Sequence, residues 1–263
     1  MWKRGFGPFS YICLSEDIII MASVREVYNA LSDLANKEQR GFVTPTEFNS
    51  FAPIAQQNIF NKLFTDLTLA EVMRRRNVDP ARDKSRIKQI KEDLGTFSKD
   101  STISKLDGVF AKPDDFARLI SMKTFGSILL DVTSSVMIDP IYDEEKIDRI
   151  LLSSLSAPST SRPVAIVKGD FEVFPTNINK IKVRYYKQPE GLDPKTGARA
   201  VSLPKFGFEL EDGKETYLAS TSIDFELPEH YTSDLVFELA KLIGVNLRDA
   251  NIYSYADAEL KKQ

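Results

Sequence analysis

The amino-acid sequence predicts an α+β fold, with helices at both ends of the chain and a β-rich middle that holds one inserted helix. Three observations carry that expectation. Apolar residues recur at helical spacing from Met21 onward; after about Ser98 they come in short runs punctuated by Gly, Pro and Asn; and beyond Pro228 the helical spacing returns. Helices gathered at the ends, instead of alternating with strands, argue against a doubly wound sheet.

The first twenty residues, MWKRGFGPFSYICLSEDIII, offer no periodic apolar face. Their apolar part is interrupted by Ser10, Ser15, Glu16 and Asp17, and no small-x-small cleavage site follows, so they make a poor signal peptide. Glu16-Asp17 can be encoded by a purine-rich GAGGA, with three Ile codons before Met21, which is how a translated ribosome-binding site looks. The expected start is Met21, with residues 1–20 a non-native or disordered extension. The remaining divisions expected along the chain are a helical docking region at 21–98, a β-rich body at 99–227 and C-terminal helices at 228–263.

From Met21 the signals are strong. Ser23 and Glu26 form a capping box, and Val24, Val27, Tyr28, Leu31, Leu34 and Ala35 fall on one helical face. Gly41 stands where a helix stop belongs, and Thr44-Pro45-Thr46-Glu47 is a second capping box with Pro45 at the first helical position. KEQRGFVTP is therefore expected to be the corner of a helical hairpin. Phe48 and Phe51 share an apolar side, and Pro53 is expected to kink or restart the helix. From Ile54 onward, Ile59, Phe60, Leu63, Phe64, Leu67, Val72 and Met73 describe a long amphipathic helix. Asp79-Pro80 breaks it, and a third helix runs to Leu94 before Gly95.

Strands are expected in FARLISMKT, SILLDVTSS, PVAIVKG, FEVFP and KIKVRYYKQP. The inserted helix is DEEKIDRILLSSLS, capped by Asp143, with Ile147, Ile150, Leu151 and Leu155 as its buried stripe. PKFGFELEDGKETYLAST reads as a hairpin with an Asp-Gly turn. QPEGLDPKTGARAVSLPK reads as a long exposed loop. IDFELPEHYTSDLVFELAKLIGV passes from strand to a helix ending near Gly244, and a last helical or frayed segment closes the chain.

Composition narrows the function. Of 263 residues, 42% are hydrophobic and 28% charged, the balance of a globular protein, and the net charge is −3. Neither nucleic acid nor an anionic membrane is expected to attract the whole molecule. No apolar run is long enough to span a membrane, so no membrane partner is expected. One cysteine, Cys13, and one histidine, His230, allow neither an intrachain disulfide nor a Cys/His zinc site within one chain. No cofactor, metal or catalytic residue is expected. A Ser-His-Asp triad would have to use His230, and no G-x-S-x-G elbow is present. Phosphate-cradling glycine motifs and Asp-x-Asp calcium loops are missing. Acidic clusters at Asp114-Asp115 and Asp143-Glu144-Glu145 sit beside helix and turn signals, where carboxylates favour helix N-termini.

Charge is unevenly spread. Between Arg74 and Lys91 there are eight Lys/Arg and two Asp, while from Lys205 to Gln263 there are twelve Asp/Glu and six Lys/Arg. Such asymmetry suits docking, with one part of a subunit meeting another part of its neighbour or an acidic partner. The interface candidates are Arg74, Arg75 and Arg76, with Lys37, Arg40 and Phe42 at the hairpin corner; Gly41, Pro45 and Pro53 are structural turn residues.

VREVYNALSDLANKEQRGFVTPTEFNSFAPIAQQNIF resembles the N-terminal signature of virion structural proteins of tailed bacteriophages, crAss-like and related short-tailed phages. KPDDFARLISM, ILLSSLSAPSTSRPVAIVKGDFEVFPTNINKIKVRYYKQP and STSIDFELPEHYTSDLVFELAKLIGV extend the likeness over most of the chain after Met21. The resemblance implies a non-enzymatic head-to-tail connector or neck-ring subunit, located in the virion neck or tail and in host cytoplasm during assembly. Its implied partners are itself in a ring, the portal, neighbouring neck and tail proteins, and viral DNA passing without specific binding. An acidic channel lining would let DNA slide, because phosphate contacts dominate DNA affinity. The alternatives are a virion-associated glycoside hydrolase using paired carboxylates and a DNA-binding packaging protein using Arg74–Lys91.

Overall fold

The structure, a computed structural model, describes residues 21–37, 43–76, 80–125, 135–192, 199–200, 203–211, 214–246, 254 and 257–259. Their elements run α1 (Val24–Lys37), α2 (Pro45–Arg76), α3 (Pro80–Gly95), β1 (Ser98–Ser104), β2 (Phe116–Thr124), β3 (Met137–Ile141), α4 (Glu144–Leu152), β4 (Val164–Val167), β5 (Phe171–Phe174), β6 (Lys180–Lys187), β7 (Gly191–Leu192), β8 (Arg199–Ala200), β9 (Phe208–Glu211), β10 (Lys214–Tyr217), β11 (Asp224–Phe225) and α5 (Thr232–Asn246). The fold is α+β, as the sequence predicts, with N-terminal helices ahead of a mixed sheet and a C-terminal helix after it. Residues 1–20 with Cys13, the corner residues Arg40, Gly41 and Phe42, most of SILLDVTSS, the Asp212-Gly213 turn and most of the segment after Asn246 lie outside the described residues.

The helices share one core. Val24, Val27, Tyr28, Leu31 and Ala35 of α1 are buried on the expected face. The start of α1 is held from far along the chain, by Val24 N–H donating to Asp224 Oδ1 at 2.7 Å. The second capping box forms as predicted: Glu47 N–H donates to Thr44 Oγ1 and Thr44 N–H donates to Glu47 Oε2, both at 3.2 Å.

Of the two outcomes expected at Pro53, a kink or a restart, the restart does not occur: α2 continues through it from Pro45 to Arg76. Proline removes the donor for the Asn49 carbonyl, but Phe48, Ala52, Ala55 and Ile59 bury on both sides of it in the same core. The Asn49 side chain is also clamped to the Phe206 backbone by bonds of 3.0 and 2.7 Å. Ile54, read as the start of the apolar stripe, is exposed, because it lies about 140° round the helix from Ile59.

Phe60, Leu63 and Phe64 of α2, Ile90 and Leu94 of α3, Phe97, Phe206, Phe225, Leu227 and the Leu235, Leu239 and Ile243 stripe of α5 complete this core. It thus draws on chain segments from both ends of the sequence. Gly207 in this region has no room for a side chain: a Cβ there would lie 2.2 Å from Thr221 Oγ1 and 2.7 Å from the Leu218 carbonyl.

The six-stranded sheet has the order β1-β6-β2-β3-β4-β5, antiparallel except for β3 with β4, which α4 connects. It curls, so that Phe110, beyond β1, exchanges two 2.9 Å backbone bonds with Phe171 of β5 at the far edge. A second core fills the inside of the curl: Phe110, Met122, Ile138, Ala165, Phe171, Val173, Ile181, Val183 and Tyr185. On the outside, Tyr186 and Ala117 pack on the helical core, while Ile141 and Ile166 pack on Ile147 of α4.

Four strands lie beyond the predicted runs, β1, β3, β7 and β8. β1, SKDSTIS, is polar because it is an edge; β3 contains Pro140, a residue that argues against a strand. Asp143 caps α4 as expected, accepting from the N–H of Glu145 and Lys146. The helix stops at Leu152, however, so Leu151 and Leu155 do not continue the buried stripe and Leu155 is 91% exposed. The expected loop after Gln188 contributes β7 and β8, with β7 paired between β8 and β11. The β9–β10 hairpin pairs Glu211 with Lys214, the register that a two-residue turn requires.

Where sheet meets helices, a charged network is buried. Alternation along β6 turns Ile181, Val183, Tyr185 and Lys187 to the same side. Lys187 Nζ bonds Glu226 Oε2 at 2.7 Å and Glu190 Oε2 at 3.1 Å. Gln56 closes the ring, accepting from Glu226 N–H and donating to the Glu190 carbonyl, both at 2.8 Å.

Candidate functional site

The basic segment singled out by sequence forms a helical arm. From Thr65 to Arg76, only Ala70 of α2 is fully buried, and Ile87 of the neighbouring α3 is buried as well. Ion pairs brace the two helices: Arg86 with Asp66 at 3.8 Å, and Lys91 with Glu71 at 3.3 Å, while Lys88 pairs along α3 with Glu92 at 3.4 Å. These partly exposed pairs each contribute little to stability.

Those pairings answer much of the local positive charge, but not at the tip. No acidic side chain among the described residues lies within 4.0 Å of Arg74, Arg75, Arg76 or Lys84. The arginines occupy the last turn of α2, where cations complement the helix dipole. Beside them, Leu69 and Val72 are exposed; Val72 was expected in the buried stripe, but α2 has by then run past the core. Between the helices an open groove of about 630 Å³ is lined by Arg74, Lys84, Ile87, Lys88, Lys91 and Glu92.

The other predicted interface residues do not join this site. Lys37 closes α1 and Pro45 opens α2, at the opposite end of that helix. Pro45 and Arg76 are about 45 Å apart along the axis.

At least four of the twelve carboxylates of the acidic C-terminal stretch, expected to meet the basic arm across subunits, have partners within the chain. Asp224 holds α1, Glu226 holds Lys187, Glu215 accepts from Tyr28 at 3.4 Å, and Glu238 accepts from Asn58 at 2.7 Å. Burial, then Glu215, pushes the Tyr28 hydroxyl up to about 12, so it stays a donor.

At the root of the arm a cleft of about 400 Å³ is lined by Asp66, Arg86, Asp93, His230, Tyr231 and Asp234 among others. Asp93 accepts from the Tyr231 hydroxyl at 2.7 Å, and His230 Nε2 lies 3.3 Å from the same oxygen. Burial first, and the bond to Asp93 second, push the Tyr231 hydroxyl far above its usual range. This trio ties α3 to the 3-10 turn, Glu229–Tyr231, that leads into α5. The acidic clusters also have structural partners. Asp115 accepts from Tyr185 at 2.7 Å and pairs with Lys99 at 2.5 Å; Glu144 pairs with Lys168 and Glu145 with Arg149.

Sequence reasoning passed over Lys187, Glu226, Asn49, Asp93 and Gly207. A signal for Lys187 was present: it follows Ile181, Val183 and Tyr185 at alternate positions, so a buried lysine required a carboxylate. No protein-family model matches this chain, and no curated protein matches it.

Proposed function

We propose that the chain is a non-enzymatic structural subunit of a tailed-phage virion, a head-to-tail connector that assembles as a ring below the portal and helps form the DNA channel. The observation that carries the docking role is the arm, whose tip presents Arg74, Arg75, Arg76 and Lys84 beside exposed Leu69 and Val72. A chain gains little stability from an extended hairpin with so small a buried face, and cations with no acidic partner within 4.0 Å among the described residues are suited to steering a second macromolecule. The connector role rests on the sequence resemblance given above. Negative-stain microscopy of the purified protein, alone and with the portal of the same virus, tests it: ring-shaped particles, free or seated on the portal, are expected, and dispersed monomers in both samples overturn the reading.

The same tip favours a second reading, a DNA-binding packaging protein. A gel shift at about 0.15 M salt separates the two, since binding through phosphate contacts weakens steeply as salt rises.

A further inference from the structure

A second surface answers the arm in charge and in apolar character. α4 and its flanks, from Asp139 to Leu155, carry five acidic residues and two basic ones. Asp139, Asp143, Glu144, Glu145 and Asp148 are all exposed. Among them lie large exposed apolar side chains: Tyr142 is 67% exposed, Leu152 88% and Leu155 91%. α4 is anchored underneath by Ile147 on Ile141 and Ile166, so its outward face is presented from a fixed base. The arm offers the opposite combination, with eight basic and three acidic residues between Leu69 and Lys91 and exposed Leu69 and Val72 beside the tip.

The two surfaces occupy different parts of the subunit. The arm extends from the helical core, which covers the sheet at Ala117 of β2 and Tyr186 of β6; α4 covers β3 and β4. An acidic apolar face on one copy and a basic apolar face on the next form a heterologous contact, the kind that repeats head to tail and closes into a ring when the rotation permits.

We infer that the α4 face, with Glu145, Asp148, Leu152 and Leu155 at its centre, receives the α2–α3 arm of a second copy of this chain. The occupant is a second copy because the complementary charge and the complementary apolar residues are both carried by the same molecule. This assignment rests on the docking role proposed for the arm and names the arm's receptor. It replaces the acidic C-terminal stretch in that part, since Asp224 and Glu226 are tied into the core of the subunit. Among the described residues Glu144 and Glu145, by contrast, make only exposed ion pairs, with Lys168 and Arg149, which an incoming cation can displace.

Sedimentation of the full chain over a wide concentration range, with folding checked by circular dichroism, tests the contact through three variants. Wild type self-associates. R74E/R75E/R76E and E145K/D148K each raise the dissociation constant at least about tenfold, and mixing the two variants restores association because each then meets its opposite charge. L152S/L155S, which alters side chains exposed in the free subunit, weakens association without changing the fold. If the arm reversal abolishes association while both α4 variants associate as wild type does, the receptor assignment is overturned and the docking role of the arm stands. If the arm reversal leaves association intact and abolishes DNA binding, both the assignment and the docking role fall. A wild-type chain that stays monomeric throughout overturns the assignment, while microscopy with the portal still decides the proposed function.

Discussion

The two halves of α2 are one unbroken helix put to opposite uses. From Pro45 to Phe64 it buries Phe48, Ala52, Ala55, Gln56, Ile59, Phe60, Leu63 and Phe64; from Thr65 to Arg76 it buries Ala70 alone. Apolar residues occur in both halves, yet Leu69 is 47% exposed where Phe60 is 1% exposed. An apolar residue at helical spacing is therefore an offer of burial, and neighbouring elements decide whether it is taken up. In the first half α1, α3, α5 and Phe97 take it up; in the second, Leu67 still packs on that core, but Leu69 and Val72 stay exposed.

The contrast is broken most sharply in the first half. Phe60→Ala opens a cavity against the Phe64 and Phe97 rings, which stand 5.0 Å from its own, and costs about 3–5 kcal/mol in urea unfolding. Lys187→Ala, at the junction with the sheet, strands the Glu226 carboxylate in a buried site and costs a comparable amount, about 3–5 kcal/mol. If Lys187→Ala unfolds at the wild-type urea concentration, the buried network is not stabilising the junction. Gly207→Ala forces a methyl against Thr221 and the Leu218 carbonyl and lowers stability by about 1–3 kcal/mol.

Acid sharpens the comparison at the sheet edge. Hydrogen bonds from Arg184 and then Lys182 hold the Asp100 carboxyl far below the usual range. Burial pushes Asp115 up, but Lys99 and Tyr185 outweigh it, so its carboxyl is also lowered. Depressed folded-state values make these contributions complete above the ordinary aspartate value of 3.8; they fade as the pH falls below it and through the lowered folded value. Asp100→Asn and Asp115→Asn proteins should each show a flatter fall in melting temperature over that window than wild type. Equal slopes would show that these pairs add nothing. The smallest effect is expected in the arm, where Leu69→Ser and Val72→Ser should each change stability by no more than about 0.5 kcal/mol. A loss of several times that from either would mean that the outer half of α2 is packed after all.

Most of the element order was legible because it is written in local chemistry. Thr44 and Glu47 cap whatever helix follows them, Asp143 does the same for α4, and the alternation of Ile181, Val183 and Tyr185 requires a strand with one buried face. The cluster Arg74-Arg75-Arg76 was likewise visible as a concentration of charge. At Pro53 the local cost is real and left a restart open; the core on both sides of it, with Asn49 held to Phe206, shows why the helix continues. β1 stayed hidden because an edge strand has no need of apolar alternation.

By itself, then, the sequence determined where most helices and the apolar strands begin, which faces are apolar and where charge is concentrated, since capping, periodicity and composition act over a few residues. The tertiary structure decided which offered faces are covered. It drew α5 and Phe206 onto the N-terminal helices, spent Asp224 and Glu226 inside the subunit, and left Leu152, Leu155 and the arginine tip uncovered. Burial and charge pairing depend on groups distant along the chain, and no local pattern records which of them will meet.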